Sequence, residues 1–402
     1  MIAPYRRLLT HPGVPRLIAT DLCVKIGPPV LGVALLLVAL EHLGSYTAAG
    51  LALTAHALAL ALCAPIGGRL ADRFGARRVL VGYLAAHTGA YALLLAVLAL
   101  DAPAPALIGA ASLLGLTNPP AGPVIRDAWP RLVPAASLPA AYALDSAVNE
   151  LMFIVGPALV SALLPVMSAR TVVLVAAVTV LSGVALLILS SPMPLASATT
   201  ERPADPGSRR ARLIGPLVHR PTLVLLVLAA FATFGFGCLR IATAADATAF
   251  GSGESAGLLM ALLSAGTLAG ALGYGARAGS PHGRLALVVL CLLDAAALFT
   301  GIFAPGLTVL AMTVTASGLL SGPRDILVPI LLAEQAPERY RTEVFAWLNT
   351  FTWAGYGLGT AVAGAATDPN DNGAAAFTIA TAVALLSAVV AATLHHPASR
   401  PG

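Results

Sequence analysis

The sequence predicts an all-α integral membrane protein with twelve transmembrane helices in two pseudo-symmetric six-helix bundles. Three observations lead to this fold class: an apolar composition, a series of long apolar runs, and an internal repeat. Hydrophobic residues make up 58% of the 402 residues and charged residues only 10%, whereas a soluble globular protein has about 25% charged residues. Such a composition is typical of a chain that lies mostly in lipid.

Twelve apolar runs are each long enough to cross the ~30 Å hydrocarbon core of a bilayer. Because lipid offers no partners for backbone amides, we expect runs of this length to be helices. They lack the short alternating pattern of a membrane β-barrel. In chain order the runs are 15–40, 46–66, 79–100, 104–125, 138–164, 171–191, 221–246, 255–276, 284–303, 306–331, 342–366 and 373–394.

A polar linker and an internal repeat divide these runs into two groups of six. Residues 192–220 are rich in Pro, Ser, Ala and Arg without apolar periodicity, which predicts a flexible cytoplasmic linker. The expected units are an N-terminal half at 1–191, this linker, and a C-terminal half at 221–402. Parallel repeats of this kind are typical of transporters. An offset of 203 residues relates the pairs Gly115 and Gly318, Pro134 and Pro337, and Gly156 and Gly359.

Arginine is distributed unevenly between the two sets of connectors. Nineteen of the arginines fall in the terminal segments and in the connectors on the same side of the membrane as the N-terminus. The connectors on the opposite side contain only Arg170. Because positive residues favour the cytoplasmic side, both termini are predicted to be cytoplasmic. The net charge of +5 then reflects topology and not nucleic acid. We expect a monomeric, multi-pass protein of the cell membrane, with its first run retained as a helix because no signal-peptide cleavage site follows.

The connector after the second run carries the most informative motif, G-R-L-A-D-R-F-G-A-R-R at 68–78. It resembles the helix 2–3 signature of the major facilitator superfamily, G-x-L-a-D-r-x-G-r-k/r, with Ala76 at a position that is usually basic. The resemblance implies that family's fold over the whole chain and charge contacts that close a cytoplasmic gate. Asp72 would pair with a basic group, and Gly68 would let the second helix approach the eleventh. For Arg77 and Arg78, topological anchoring is the alternative. The gate residues implied are Gly68, Arg69, Asp72, Arg73, Gly75, Arg77 and Arg78.

Other marks of the family are partial. Gly156-Pro157 resembles the core of the antiporter signature in helix 5 and implies a kink there, although the flanking glycines of that signature are missing. The segment 115–122 contains no match to the helix-4 arginine of many proton-coupled exporters. After the eighth run the gate signature survives only as scattered glycines and arginines without an acid, so the gate is predicted to be asymmetric. Export is favoured, and proton coupling stays open.

Ionisable side chains within the apolar runs are candidates for function, because a charge at the bilayer centre costs at least ~2.5 kcal/mol. Asp21 and Lys25 lie four residues apart on one helix face, either as an internal ion pair or facing a cavity. Gly27-Pro28-Pro29 is expected to break that helix. Asp145 and Glu150 lie in the fifth run. Glu150 either has a proton or substrate role or pairs structurally with Lys25 or Arg126. The proton-coupling candidates are Asp21, Lys25, Asp145 and Glu150.

A second set of polar and aromatic residues is predicted to line a substrate cavity between the halves. Helix 11 supplies an aromatic and amide set suited to a flat amphipathic cargo, and Arg240 is the midspan charge of the seventh run. Asp294 in the ninth run is predicted to be peripheral. The cavity candidates are Asn118, Asn149, Arg240, Arg324, Asn349, Trp353 and Tyr356.

The leading functional hypothesis is therefore a secondary transporter that works by alternating access and exports small amphipathic or drug-like compounds in exchange for protons. A nutrient or metabolite importer of the same fold is the alternative. A non-transporting sensor or enzyme lacks support, because the sequence has no nucleophile–base set, metal cluster or phosphate loop. No cofactor or metal is expected, since the four cysteines (Cys23, Cys63, Cys238 and Cys291) stand alone in apolar runs.

Overall fold

The computed structural model describes residues 3–43, 46–189, 215–250, 255–276, 283–337, 340–367 and 373–394. Within these ranges the chain is helical and contains no strand. Short 3₁₀ helices at Ala135–Ser137 and Gly215–Val218 precede two of the long helices. The α-helices are α1 (Ala3–Thr10), α2 (Val14–Leu43), α3 (Tyr46–Phe74), α4 (Ala76–Ala99), α5 (Ala104–Leu116), α6 (Ala121–Leu132), α7 (Leu138–Leu163), α8 (Ala169–Leu189), α9 (Arg220–Ala249), α10 (Ser255–Gly275), α11 (Gly283–Gly301), α12 (Leu307–Gln335), α13 (Arg341–Ala366) and α14 (Ala374–Ala392).

Ten of these helices are long and apolar enough to cross a membrane. The other two predicted spans correspond to α13 and to the consecutive helices α5 and α6. The fourth span was expected to be one helix over 104–125, and this was wrong. The chain leaves helical geometry between Leu116 and Ala121, where Pro119 and Pro120 lack the amide hydrogens that would continue it.

The expected break at Gly27-Pro28-Pro29 does not occur, since α2 continues through both prolines. Tight packing on two sides accounts for the difference. A Cβ atom on Gly27 would clash with Val180 of α8, and Pro29 lies against Gly156 of α7. Neighbouring helices can support a proline-containing span in this way.

The internal repeat of the sequence recurs in the helix packing. Gly115 of α5 lies against the backbone of α3, and Gly318 of α12 lies against the backbone of α10. In the same way, Gly156 of α7 packs on α2, and Gly359 of α13 packs on α9. Each pair of related glycines thus permits the same close helix approach in the two halves. The predicted fold of two pseudo-symmetric helical bundles is confirmed.

The two bundles contact each other mainly through α13 against α3 and α6, and through α7 against α10 and α12. The ends of α3 and α10 meet the beginnings of α13 and α7, respectively, so these contacts gather at one end of the molecule. The predicted linker lies largely outside the described residues. Its last part, the 3₁₀ helix Gly215–Val218, packs on α9 and α13.

Candidate functional site

The Asp72 carboxylate joins the two halves by capping the N-terminus of α13. It accepts hydrogen bonds from the backbone amides of Thr342 at 3.0 Å and Glu343 at 2.8 Å, and its side chain is buried. The first amides of a helix lack partners within the helix, and the helix dipole favours an anion there. The partner expected for Asp72 was a basic group. The donors in these two hydrogen bonds are backbone amides instead.

A second cross-half contact joins Arg69 to Glu343. The Arg69 Nη2 atom lies 2.5 Å from Glu343 Oε1, and Glu343 is fully buried. The indole of Trp347 also donates a hydrogen bond to Glu343 Oε1 at 3.3 Å. Sequence reasoning missed Glu343, although an acid at the start of a run that follows a basic connector was a usable signal.

Gly68 allows α3 and α13 to come this close. A Cβ atom on Gly68 would lie 2.8 Å from the Ala346 Cβ, 2.8 Å from the Glu343 Cα and 2.9 Å from the Thr342 oxygen. Two of these three atoms belong to the backbone and cannot move away as a side chain could. The expected close approach of the second and eleventh spans is therefore present.

The remaining arginines of the motif lie at the surface in this arrangement. Arg77 and Arg78 are exposed, and neither has a carboxylate within 4.0 Å among the described residues. Arg73 is also exposed and stacks on the Phe74 ring at 4.9 Å. Gly75 has a φ of +86° between α3 and α4, a backbone conformation that suits glycine. The cross-half contacts of the motif thus come from Gly68, Arg69 and Asp72.

The seam between α7 and α10 is closed differently. The repeat offset of 203 residues relates Asp72 to Gly275, which contacts Ala143 and Pro139 of α7. The Tyr5 hydroxyl of α1 donates a hydrogen bond to the Leu272 carbonyl at 2.7 Å, and burial raises the pKa of Tyr5 to about 12. These contacts are uncharged, in contrast to those between α3 and α13.

Three of the four proton-coupling candidates form one ion-pair network within the N-terminal half. Lys25 Nζ lies 2.9 Å from Asp21 Oδ2 and 2.8 Å from Asp145 Oδ1. Arg126 Nε lies 3.1 Å from Asp145 Oδ2. Two cations therefore face two carboxylates, and the network is neutral when all four groups are charged.

Glu150 stands apart from this network. It is half-buried, and among the described residues it makes neither a hydrogen bond nor an ion pair. The pairing of Glu150 with Lys25 or Arg126, considered from the sequence, is not present. Instead, Asp325 of α12 lies within electrostatic range of Glu150 and of Arg126. Asp325 is exposed, and sequence reasoning did not select it.

The placement of Asp294 at the periphery was wrong. Asp294 and Arg324 are both buried, with 3.0 Å between Arg324 Nη1 and Asp294 Oδ2. Ser317 donates a second hydrogen bond to Asp294 at 2.6 Å. Arg324, predicted to line the cavity between the halves, is thus paired inside the C-terminal bundle, where α9, α11, α12 and α14 enclose it.

The other cavity candidates lie on several helices. Arg240 is exposed on α9 and donates a hydrogen bond to the Tyr356 hydroxyl at 2.7 Å. Trp353 is 45% exposed on α13. Asn118 lies in the break between α5 and α6, while Asn149 on α7 and Asn349 on α13 are half-buried. Gly156 and Pro157 lie within α7, but the Pro157 side chain is outside the described residues, so the kink stays a prediction.

Two helical bundles joined by such cross-half contacts define a multi-pass membrane protein of the two-bundle transporter type. The sequence profile of the Major Facilitator Superfamily matches residues 26–245. The chain belongs to this superfamily and is a secondary transporter. It is 27% identical to the uncharacterised MFS-type transporter y4rN of Sinorhizobium fredii (strain NBRC 101917 / NGR234), over 98% of this chain and 97% of that protein.

Solved transporter structures share the fold. The human organic anion transporter MFSD10 aligns over 96% of this chain and 99% of its own, with a TM-score of 0.71 and 17% identity. A bacterial homologue of the iron transporter ferroportin, in its outward-facing state, aligns over 94% of this chain and 98% of its own, with a TM-score of 0.74 and 16% identity. The Escherichia coli fucose:proton symporter aligns over 95% and 98%, with a TM-score of 0.72 and 16% identity.

Proposed function

We propose that this transporter exports small amphipathic compounds in exchange for protons, by rocking the halves 1–191 and 221–402 about a central cleft. The observation that carries the proposal is the seal between α3 and α13, where Asp72 and Arg69 hold the start of α13. On the predicted topology this seal faces the cytoplasm, so the described arrangement is outward-facing.

Exposed charges in the spans support a cleft that is open on the other side of the seal. Asp325 and Arg240 are both exposed, yet each lies well inside a spanning helix. Hydrocarbon does not solvate such groups, so they must face water or a polar ligand. A cleft closed at one end and wet at the other is what alternating access requires in one of its two states.

The seal is also of a kind that can open. It consists of a few hydrogen bonds to charged groups, each worth about 1.5–3 kcal/mol, the hydrogen bond from Thr350 to the Ala61 carbonyl, and the close helix contact at Gly68. All of these contacts lie between the halves, so a rigid-body rotation breaks them together without disturbing either bundle.

Glu150 and Asp325 support proton coupling. They belong to different halves, and among the described residues neither has a cationic group within 4.0 Å of its carboxylate. Two carboxylates that approach each other repel when both are ionised, so uptake of one proton stabilises the closed cleft. The ion pairs of Asp21 and Asp145, in contrast, already neutralise those acids.

The decisive experiment combines a growth-protection panel with a transport assay. Cells with and without this chain are exposed to amphipathic toxic compounds. A compound against which the chain protects the cells is then assayed for transport in inside-out vesicles with an imposed proton gradient. We expect uptake into the vesicles that depends on the gradient and is abolished by Glu150→Gln. Glu41→Gln is the matched control, because Glu41 is an exposed acid at the far end of α2.

Two outcomes would contradict the proposal. If cells that carry the chain accumulate the compounds, the protein is an importer. If Glu150→Gln transports with unchanged dependence on the gradient while Glu41→Gln behaves in the same way, Glu150 is not the proton carrier.

A further inference from the structure

A cationic and aromatic cluster lies on the open side of the seal, formed by Arg240 and Phe236 of α9 with Tyr356 and Trp353 of α13. The Tyr356 ring occupies its centre, with ring centroids 5.9 Å from Phe236 and 6.0 Å from Trp353. The Trp353 ring stands at 88° to the Tyr356 ring. Arg240 Nη1 donates to the Tyr356 hydroxyl at 2.7 Å.

The cluster is located within the depth of the membrane. Arg240 lies twenty residues after the start of α9, which places it ~30 Å along the helix from the sealed end. Tyr356 lies ten residues before the end of α13, or ~15 Å from the opposite end. Both residues are therefore deeper than the interfacial belt, where arginine and aromatic residues are common.

The cluster also faces the cleft between the halves. Thr350 of α13 donates a hydrogen bond across the halves to the Ala61 carbonyl at 3.0 Å. Trp353 follows three residues later and so lies near the same helix face, about one turn beyond this cross-half contact. Its 45% exposure, together with 38% for Phe236, leaves both rings open to a ligand.

The charge of Arg240 is not neutralised by the described part of the chain. The other deep cations, Lys25, Arg126 and Arg324, each lie within 4.0 Å of a carboxylate. Arg240 has no carboxylate at that distance among the described residues, and its hydrogen bond there is to a neutral phenol. A guanidinium has five N–H donors in a fixed fork, so most of its capacity is available to a ligand.

We propose that this cluster binds the anionic group of the cargo, and that the cargo is an organic anion with a flat apolar body. A carboxylate would take the two-pronged hydrogen bond that guanidinium groups form. The rings of Trp353 and Phe236 would contact the body. This inference rests on the proposed transport function and gives its substrate class.

Glu150 and Asp325 lie at a different level of the cleft from the guanidinium of Arg240. Glu150 lies twelve residues after the start of α7 and Asp325 ten residues before the end of α12, or ~18 Å and ~15 Å from the sealed end. Both acids are therefore closer to the sealed end than Arg240 is. The acidic pair and the guanidinium thus occupy different levels of the cleft, which separates a proton site from an anion site.

Equilibrium binding of three matched probes tests the proposal on the full-length protein in nanodiscs of neutral lipid. The probes are 2-naphthoate, 2-naphthylmethanol and 2-naphthylmethylamine, measured by titration calorimetry without any gradient. We expect wild-type protein to bind the anion about tenfold or more tightly than the alcohol, the fold-change typical of a hydrogen bond to a charged group. Arg240→Gln should remove this preference, Arg240→Lys should retain part of it, and Tyr356→Phe should weaken it.

Arg170→Gln is the control variant. Arg170 is an exposed cation of the other half, and its ion pair with the exposed Asp101 contributes little to stability. The three affinities should therefore be unchanged in this variant. An additional titration in nanodiscs that contain phosphatidylglycerol distinguishes a free organic anion from a lipid headgroup, since displacement of naphthoate by that lipid would mean that Arg240 holds the headgroup.

The proposal is overturned if wild-type protein fails to bind naphthoate at millimolar concentration, prefers the alcohol or the amine, or keeps its anion preference in Arg240→Gln. Displacement of naphthoate by the anionic lipid overturns it as well. Because binding is measured at equilibrium, the outcome does not depend on direction or coupling. A failure of the vesicle experiment with Glu150→Gln can therefore be told apart from a failure here.

Discussion

Gly68→Ala tests whether the seal between α3 and α13 controls the equilibrium between the two states of the transporter. The change adds one methyl group at a point where α13 approaches α3 more closely than a Cβ atom allows. The new atom would lie 2.8 Å from the Ala346 Cβ and 2.8 Å from the Glu343 Cα. These distances are well below ordinary van der Waals contact, so one helix must shift.

The magnitude follows from the packing. Overpacking of a tight contact costs about 1–3 kcal/mol. This cost falls on the sealed state, because α3 and α13 are in contact at this point in that state, and the open state is not affected. A change of 1–3 kcal/mol in one state corresponds to an about 5- to 150-fold shift in the equilibrium. Gly68→Ala should therefore open the seal without unfolding either half.

The assay uses Thr350→Cys as a reporter in a cysteine-free background. Thr350 bridges the halves through its hydrogen bond to the Ala61 carbonyl, so a thiol at position 350 reacts with a membrane-impermeant maleimide when the seam is open. Labelling is followed in inside-out vesicles, which expose the predicted cytoplasmic face. We expect a faster labelling rate with Gly68→Ala, and partial recovery when Ala346→Gly removes one of the clashing atoms.

Gly82→Ala is the matched control for this experiment. Gly82 lies within α4, and a Cβ atom there would have no neighbour within 4 Å. The same chemical change at this position should leave the labelling rate as it was. Equal rates for Gly68→Ala and Gly82→Ala in well-folded protein would refute the reasoning.

Substitutions at three further positions, one of them combined with a second change, give additional tests. Asp72→Asn, which replaces one acceptor oxygen by an amide donor facing the start of α13, should raise the same labelling rate; unchanged labelling would argue against the role of Asp72 in the seal. Tyr5→Phe removes the hydrogen bond to α10 and should raise labelling less than Asp72→Asn does, because a neutral hydrogen bond contributes about 1 kcal/mol. Arg324→Met should destabilise the protein by about 3–5 kcal/mol, because Asp294 is left buried without its counter-ion. Adding Asp294→Leu should recover most of the melting temperature, and no recovery would contradict the pairing.

Run lengths and one connector motif were enough to predict the fold, because both signals are local in sequence. The ion pair of Asp21 with Lys25 was also foreseeable, since a separation of four residues places two side chains on one helix face. Glu343 could have been noted as an acid at the start of a run, but its partner was not foreseeable by the same means. Glu343 is 274 residues from Arg69 in sequence, and nothing in its neighbourhood shows which helix of the other half it faces.

The two proline pairs show a different limit of sequence reasoning. Pro28 and Pro29 leave α2 continuous, whereas Pro119 and Pro120 separate α5 from α6. Both pairs remove backbone donors, so the outcome depends on what packs around them. Asp294 was misplaced for a similar reason. Because α11 is apolar on all sides, its hydrophobic pattern does not indicate which face is buried.

The asymmetry between the two seams suggests how the transporter divides its tasks. Related positions carry Asp72 in one seam and Gly275 in the other, so one seam has charge-assisted hydrogen bonds and the other has close apolar packing together with Tyr5. Hydrogen bonds to charged groups are strongly directional and are lost over a small displacement, whereas apolar packing tolerates small rearrangements when helices slide. We therefore infer that the contacts between α3 and α13 act as the latch that sets the equilibrium, and that the seam between α7 and α10 acts as the surface on which the halves pivot. The acids Glu150 and Asp325 lie on α7 and α12, which also contact each other across the halves, so rotation of the halves changes the distance between the two carboxylates.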